Sequence, residues 1–219
     1  TNNIAYNNYE NGFRLDIPKN NILTNNIAYS NKWNGFVLAG SENNVLTSNT
    51  AYDHGDTGFV LYGLYIGAHN NTLTSNIAYN NLGSGFAVYN SSRSIFTNNT
   101  ATKNTNSGFV IYHNSRSHTL TKNTATGSTY GFVLDSGSGN TISSNTGQGE
   151  MGAVLIKHIN GSEGGNNMQT TISNNDFALS QFGVNIDNVT SSAIQISQNT
   201  FSASVACVNA IKLTGTTVM

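Results

Sequence analysis

The chain has 219 residues, only 9% of them charged, and a formal net charge of −1 at pH 7. This balance excludes the basic surface that nucleic acids and anionic membranes attract, and a single cysteine excludes a disulfide scaffold. No apolar stretch approaches membrane-spanning length, so we predict neither a nucleic-acid partner nor a membrane span. Asparagine supplies 37 residues and threonine 25, while 10% aromatic residues argue against a disordered polar chain.

One pattern repeats along the chain. It reads Thr-Asn-Asn-Ile-Ala-Tyr at 24–29, Thr-Ser-Asn-Thr-Ala-Tyr at 47–52 and Thr-Ser-Asn-Ile-Ala-Tyr at 74–79. Glycine–aromatic pairs follow the copies, at Gly12-Phe13, Gly35-Phe36, Gly58-Phe59, Gly85-Phe86, Gly108-Phe109 and Gly131-Phe132. The third position is always asparagine: Asn3, Asn26, Asn49, Asn76, Asn99, Asn123, Asn145, Asn175 and Asn199. Most steps between these asparagines are 22 to 24 residues, which is typical of a solenoid with one coil per repeat.

Short stretches with alternating apolar residues occupy each repeat. Leu46, Asn49 and Ala51 are predicted to point inward from one stretch, and Phe59 and Leu61 from the next. Strands this short, joined by Asn, Ser and Gly turns, predict an all-β fold, a single-stranded parallel β-helix of about nine coils with three strands per coil. We expect a single domain over 1–219, with regular coils over 1–147 and less regular coils over 148–219.

The repeated asparagines have a structural explanation. An amide side chain both donates and accepts, so identical asparagines stacked at strand spacing can hydrogen-bond along the helix axis. We therefore predict an inward structural ladder of Asn26, Asn49, Asn76, Asn99, Asn123, Asn145, Asn175 and Asn199. Where the neighbouring Ala position becomes Phe177 and Phe201, the Phe position becomes Val184 and Ile211. In the later coils the large side chain is thus expected to come from the opposite side of the core, so that the total core volume stays about the same.

The N-x-x-x-T-x-N-x-A and G-F-x-L patterns resemble the repeats of NosD-like and related carbohydrate-associated proteins. That resemblance covers nearly the whole chain and implies a right-handed parallel β-helix. Pectate lyases, polygalacturonases and alginate epimerases share this fold with many noncatalytic surface proteins. Because the matching residues are turn and core positions, the resemblance is specific for fold, and function must be argued from individual sites.

A charged turn is the candidate for catalysis. Asp53, His54 and Asp56 lie just before Gly58, and His54 interrupts an asparagine column. The segment is similar to the Asp-Pro-His-Asp/Glu motif of alginate epimerases, although the proline is absent and the spacing differs. The resemblance implies lyase or epimerase chemistry if the segment is catalytic. Ten acidic residues over nine coils instead favour a noncatalytic segment whose turn is simply solvated.

Aromatic and basic residues gather at the other end of the glycine–phenylalanine strands. Tyr62, Tyr89 and Tyr112 are predicted to stack as an outer ladder, and flat aromatics beside Arg and His suit sugar rings and carboxylates. An equally plausible alternative is that these tyrosines bind no ligand and only cover turns and form cross-strand pairs. The candidate ligand-binding residues are Tyr62, Tyr65, His69, Tyr89, Arg93, Tyr112, His113 and Arg116.

No metal site or cofactor is predicted. NosD proteins are often described as copper-associated, but copper(I) sites need grouped Met or Cys, and here three Met and one Cys are dispersed. Related lyases and epimerases often use calcium, for which no motif is present.

Two outward columns favour nonenzymatic functions. Val37, Val60, Val110 and Val133, with Ala87 between them, form an apolar stripe that predicts self-association, as do coil ends without an obvious cap. Paired threonines at 72–74 and 119–121 resemble the arrays of ice-binding β-helices, although Ile22, Val45 and Ile95 interrupt the array. Threonine is also common in exposed strands that bind no ligand, because it has a high β-propensity.

These patterns predict a secreted or cell-surface module that contacts polysaccharide, either by binding it or as part of a carbohydrate-processing protein. The alternative is a structural or adhesive module that assembles side by side or end to end. Ice binding is a third, minor hypothesis.

Overall fold

The structure is a computed structural model. It describes residues 1–17, 19–63, 68–157, 169–179, 181–187, 189, 194–203 and 209–214. Each coil contributes a first, a second and a third strand, and every strand pairs in parallel with its counterparts in the adjacent coils. This is a parallel β-solenoid of about eight full turns, so the predicted fold class is confirmed.

The strand bounds follow the sequence repeat. The first strands of the coils are β1 (Ile4–Tyr6), β4 (Ile27–Tyr29), β7 (Thr50–Tyr52), β10 (Ile77–Tyr79) and β13 (Thr100–Thr102). The second strands are β2 (Phe13–Asp16), β5 (Phe36–Ala39), β8 (Phe59–Tyr62), β11 (Phe86–Tyr89) and β14 (Ser107–Tyr112). The third strands are β3 (Ile22–Thr24), β6 (Val45–Thr47), β9 (Thr72–Thr74), β12 (Ile95–Thr97), β15 (Thr119–Thr121), β17 (Thr141–Ser143), β19 (Thr170–Ser173) and β22 (Ile194–Ser197).

In the later coils, first and second strands merge or shift. Two long strands, β16 (Thr124–Asp135) and β18 (Thr146–Lys157), each run through both positions. The first position then continues in β20 (Asp176–Leu179) and β23 (Thr200–Ala203), and the second in β21 (Phe182–Asp187) and β24 (Asn209–Thr214). First and second strands therefore belong to one 16-stranded sheet, while the third strands form a separate eight-stranded sheet.

Columns of identical side chains fill the interior. Phenylalanine rings from Phe13 to Phe132 stack along the axis with centroids 4.6–5.2 Å apart. An alanine column that includes Ala51 and Ala78 faces them and is fully buried. The glycine before each phenylalanine is required by close approach, because a Cβ on Gly58 would lie 2.8 Å from the Gly85 carbonyl oxygen. Leu46, Asn49, Ala51, Phe59 and Leu61 are all buried, as predicted.

The core exchanges its large and small columns in the later coils. Gly147 follows Ala125 in the alanine column, and Phe177 and Phe201 follow it in the next coils. Val154 and Val184 meanwhile follow Phe132 in the other column. A Cβ on Gly147 would lie 3.1 Å from Phe132 and 2.9 Å from Phe177, so glycine makes room where the aromatic column changes sides.

Three interior corners carry buried polar ladders. The first ladder is the predicted one, Asn3, Asn26, Asn49, Asn76, Asn99, Asn123, Asn145, Asn175 and Asn199. Each of its Nδ2 groups up to Asn175 donates to the next Oδ1 over 2.8–3.1 Å. The second ladder is Asn8, Asn31, His54, Asn81, Asn104 and Ser128. The third is Asn21, Asn44, Asn71, Ser94, His118 and Asn140.

The residue before each ladder position adopts a left-handed backbone conformation. Asn25, Ser48 and Ser75 precede the first ladder with φ of 54–55°. This conformation is costly for most side chains but is tolerated by asparagine. Lys122, Lys103 and Arg93 hold the same kind of position at the first, second and third ladders, with φ of 57°, 54° and 55°. The turn geometry therefore places these three cations on the outer edges of the three corners.

Candidate functional site

The predicted catalytic turn does not form a cluster. Asp53 and Asp56 are exposed, but the side chain of His54 is 1% exposed and belongs to the second ladder. Its Nδ1 accepts a hydrogen bond from the Asn31 backbone N–H at 3.2 Å, and its own backbone N–H donates to Asn81 Oδ1 at 3.1 Å. The prediction that Asp53, His54 and Asp56 act together is therefore corrected, because the imidazole takes the inward place of an asparagine.

Burial also sets the protonation of His54. Loss of solvent lowers the pKa of this imidazole to about 4, although the nearby backbone groups of Asn31 and Ala28 and the charge of Asp53 act in the opposite sense. At neutral pH the ring is uncharged, and because Nδ1 accepts, the proton is on Nε2. That nitrogen faces the backbone of Gly35, where a Cβ would lie 2.7 Å from it. His54 is thus directed away from any ligand on the outer surface.

The apolar stripe is not an open surface. Val37 is 5% exposed, Val110 1% and Val133 6%, and only Val60 is half-buried. Ala87, Val110 and Val133 form an outer cluster that packs against Tyr89, Tyr112, Tyr130 and Leu155 of the same chain. The stripe predicted for self-association is therefore mostly buried, and tyrosines of the same chain cover it at Ala87, Val110 and Val133.

Tyr62, Tyr89 and Tyr112 are neighbours in register, as predicted. The rings of Tyr89 and Tyr112 stack at 5.0 Å, whereas Tyr62 meets Tyr89 edge-on at 6.3 Å. Burial raises the pKa of Tyr89 to about 12, with smaller contributions from Tyr112 and Asp56. The two stacked rings cover the apolar cluster with phenols that stay protonated at neutral pH, and Tyr62, 45% exposed, offers the most open ring.

The turns after these tyrosines carry basic and imidazole groups. Arg93 Nε donates to Asn70 Oδ1 at 3.0 Å, and His69 Nδ1 lies 2.8 Å from Ser92 Oγ. Arg116 is exposed and pairs through its backbone with Ser92 of the coil before it. The ring of His113 lies 5.9 Å from Tyr112. We call Tyr62, His69, Arg93, His113 and Arg116 the arginine strip; Tyr65, the remaining predicted member, falls outside the described residues.

The charges of the chain are segregated along the axis. All formal charges between Asp56 and Asp135 are positive, and they belong to Arg93, Lys103, Arg116 and Lys122. The central coils therefore carry a formal +4 within a chain whose total is −1. The order of the charged residues in the sequence shows this segregation, whereas the net charge of the whole chain does not.

A second tyrosine column was not recognised from the sequence. Tyr6, Tyr29, Tyr52 and Tyr79 stack on the first strands with centroids 4.8–5.2 Å apart and interplanar angles of 10° or less. The repeated Ile-Ala-Tyr and Thr-Ala-Tyr triplets were the available signal. Because the stacked rings cover one another's faces, this column presents ring edges and hydroxyls to solvent.

The outer face of the third strands is regular. Thr72, Ile95, Thr119 and Thr141 are aligned in one column. Thr74, Thr97, Thr121 and Ser143 align in the next. The predicted Thr-x-Thr registers are therefore present, and Ile95, 45% exposed, interrupts them as expected.

In the described part of the chain, no three His, Cys, Asp or Glu side chains gather as a metal site would require. Those same residues include no helix long and apolar enough to cross a membrane.

Coils of three parallel strands, interior amide ladders and a stacked aromatic core define a repeat protein of the parallel β-helix class. The chain belongs to the right-handed β-helix family, because the family model described as "Right handed beta helix region" matches residues 1–66 and 63–147. A search of curated proteins found no match.

Solved structures with similar folds include enzymes and an adhesin. The Azotobacter vinelandii mannuronan C-5 epimerase AlgE4 A-module superposes with a TM-score of 0.67 at 21% identity, over 95% of this chain and 61% of that one. The periplasmic alginate epimerase AlgG gives 0.65 at 14% identity, over 91% and 50%. PfbA, a surface adhesin of Streptococcus pneumoniae, gives 0.56 at 10%, over 90% and 62%. This chain thus spans only half to three fifths of these neighbours.

Proposed function

We propose that this protein binds an acidic polysaccharide through the arginine strip and that it acts as a secreted or cell-surface module. The observation that carries the proposal is the purely basic charge of the central coils between Asp56 and Asp135. A polyanion approaching this side meets Arg93 and Arg116 with no carboxylate from the same coils to oppose it. Complementary charge of this kind selects a partner and speeds encounter.

The side chains of the strip suit uronate residues. A guanidinium can hold a carboxylate through two parallel hydrogen bonds, and the two arginines belong to adjacent coils. Tyr62, whose ring is not stacked face to face with Tyr89, supplies an aromatic surface at one end. The two arginines hold neighbouring columns of adjacent coils, which are spaced by about 4.8 Å, so one polymer chain lying along the axis can contact both.

The fold neighbours agree with this choice of partner and place. Two of them are named as epimerases of mannuronan or alginate, one of these as periplasmic, and a third is named as a surface adhesin. We propose binding rather than catalysis, since His54, the base in the predicted catalytic set, faces the interior.

The test is affinity electrophoresis and calorimetry of the purified chain with mannuronan and with polygalacturonate. We expect binding that weakens steeply with added salt, because the contacts are charged and exposed. The double variant Arg93→Ser and Arg116→Ser should bind at least about tenfold more weakly. Serine is chosen because Ser117 and Ser92 hold the same columns in adjacent coils.

The matched control is the double variant Lys103→Ser and Lys122→Ser. It removes the same charge from the central coils but at the other two corners, at positions where other coils of the same columns already use Ser30 and Ser75. Affinity within about twofold of the parent is expected. An equal loss of affinity in both double variants would show that binding depends on overall charge and not on the arginine strip, which would contradict the proposal. Absence of binding to either polymer would refute it.

A further inference from the structure

The corner between the first and second strands exposes large apolar side chains in the first coils. Trp33 is 44% exposed, Tyr9 74% and Leu82 66%, and all three lie in the turns that precede the glycine–phenylalanine strands. We call Tyr9, Glu10, Trp33, Asp56 and Leu82 the Trp33 corner.

Carboxylates bracket the indole along the axis. The Trp33 backbone N–H donates to the Glu10 carbonyl at 2.9 Å, and the Asp56 N–H donates to the Trp33 carbonyl at 3.0 Å. Glu10 and Asp56 therefore occupy the same column one coil to either side of Trp33, and both side chains are exposed. The carboxylate of Asp56 is positioned, because its Oδ1 accepts from Thr57 Oγ1 at 3.1 Å and a Cβ on Gly83 would lie 2.5 Å from it.

The neighbouring column has a gap beside the indole. Tyr9, Lys32, Gly55 and Leu82 follow one another along it, so Gly55 leaves no side chain between Lys32 and Leu82. A Cβ on Gly55 would overlap the carbonyl oxygen of Lys32, which makes this gap a fixed part of the backbone geometry. One face of Tyr9 is occupied, since Lys32 Nζ lies 3.7 Å from its ring centroid. Trp33, which is 44% exposed and lies beside the gap, is a second aromatic surface of this corner that is open to a ligand.

We propose that the Trp33 corner is a second, independent glycan site that takes neutral sugar residues. An aromatic ring packs against the apolar face of a sugar, and carboxylates are acceptors for hydroxyl donors. Glu10, Asp53, Asp56 and Lys32 together carry a formal charge of −2, which opposes the uronates proposed for the arginine strip. The two sites differ in charge and lie on different corners, so either can exist without the other.

The test uses the single tryptophan of the chain, whose fluorescence reports on this corner alone. The full chain is titrated with cellohexaose, mannohexaose and hexameric mannuronate, and with tetramethylammonium chloride as a small cation. We expect a saturable change of Trp33 emission with at least one neutral hexasaccharide and none with the uronate. Silence with both neutral sugars, an equal response to the uronate, or a response to the cation alone would overturn the proposal.

Two variants locate the binding. Glu10→Gln together with Asp56→Asn should weaken neutral-sugar binding about tenfold, because an amide replaces each charged acceptor. Asp176→Asn, which neutralises an exposed carboxylate in a distant coil, should leave the affinity unchanged, as should the Arg93→Ser and Arg116→Ser pair. Since all of these side chains are exposed, circular dichroism should show folded protein throughout. Equal losses in the corner and distant variants would contradict the assignment.

Discussion

At the corner that holds Asn49, Asn76 and Asn99, every coil bonds to the next through amide side chains, whereas the corner that holds His54 interrupts that chain. Asn76 Oδ1 accepts from both the backbone and side-chain nitrogens of Asn49, and its Nδ2 donates to Leu46 and Asn99. His54 instead keeps only the bonds that involve backbone N–H groups, and its Nε2 has no hydrogen-bond partner.

The third ladder makes the same substitution. His118 Nδ1 accepts from the Ser94 N–H at 3.1 Å, and its Nε2 lies 3.1 Å from the Ser91 carbonyl. An imidazole can therefore accept the backbone N–H of the preceding coil, but it does not continue the chain of amide-to-amide side-chain bonds. All three ladders thus require an inward acceptor for the N–H of the preceding coil. The additional hydrogen bonds between side-chain amides continue along the whole length of the first ladder alone.

The largest expected effect comes from breaking the uninterrupted ladder. Asn76→Ala leaves the Asn49 N–H buried without an acceptor, leaves Asn49 Nδ2 with only the Leu23 carbonyl, and removes one donor from the Leu46 carbonyl. It should cost about 4 kcal/mol of unfolding free energy. Ser94→Ala in the third ladder removes a single acceptor, for the Asn71 N–H, and should cost about 1 kcal/mol. Urea denaturation measures both. Equal losses would show that the bonds between side-chain amides add no stability beyond the bond that each ladder residue accepts from a backbone N–H.

The next largest effect is a dependence of folding stability on pH, which the first ladder cannot have because asparagine does not titrate. Burial lowers the pKa of both His54 and His118 to about 4, against an ordinary 6.5. The unfolded chain thus binds protons first, so stability is complete above pH 6.5 and falls as the pH drops towards 4, by at most about 3 kcal/mol per histidine.

Asparagine variants test that origin. His118→Asn gives this position the residue type of Asn140, the next member of the third ladder, and should remove about half of the loss between pH 6.5 and 4. Adding His54→Asn should remove most of the rest. Thermal unfolding across this pH range is the measurement. An unchanged slope in the double variant would mean that carboxylates elsewhere govern acid stability.

The smallest effect concerns the outer residue at each corner and should be equal at both ladders. Lys122 and Lys103 hold left-handed backbone conformations before the first and second ladders. Lys122→Asn and Lys103→Asn should each stabilise by about 0.5 kcal/mol, because asparagine tolerates this region better. Denaturation midpoints check the pair. Unequal gains would show that the ladders also differ in how tightly their turns are held.

Much of the interior could be predicted from the sequence because each interior position recurs in successive coils. Asn49, Leu46 and Ala51 were placed inward from alternation alone, and the exchange of Phe177 with Val184 was anticipated from volume. His54 was placed in the right column but assigned to the surface, since its neighbours in sequence, Asp53 and Asp56, are charged. Those neighbours do face solvent, and only the αL turn at Asp53 sends the intervening side chain inward.

The outer surface was less predictable because it depends on side-chain direction. The valine stripe has the alternation of an exposed column, yet Tyr89 and Tyr112 fold back over it, and no local pattern specifies where a long aromatic side chain lies. The basic central coils and the exposed Trp33 were both legible in the sequence. Neither could be interpreted until the coils showed which residues share a corner.

The coil, the number of repeats and the identity of the first ladder follow from the sequence alone, since asparagines that recur once per coil can satisfy their buried amides by stacking on one another. The tertiary structure alone decided that histidines serve as interior acceptors, that tyrosines cover the valines, and that basic and acidic-aromatic surfaces occupy separate corners. These outcomes depend on contacts between coils about 23 residues apart, where burial and packing outweigh the character of the residues adjacent in sequence.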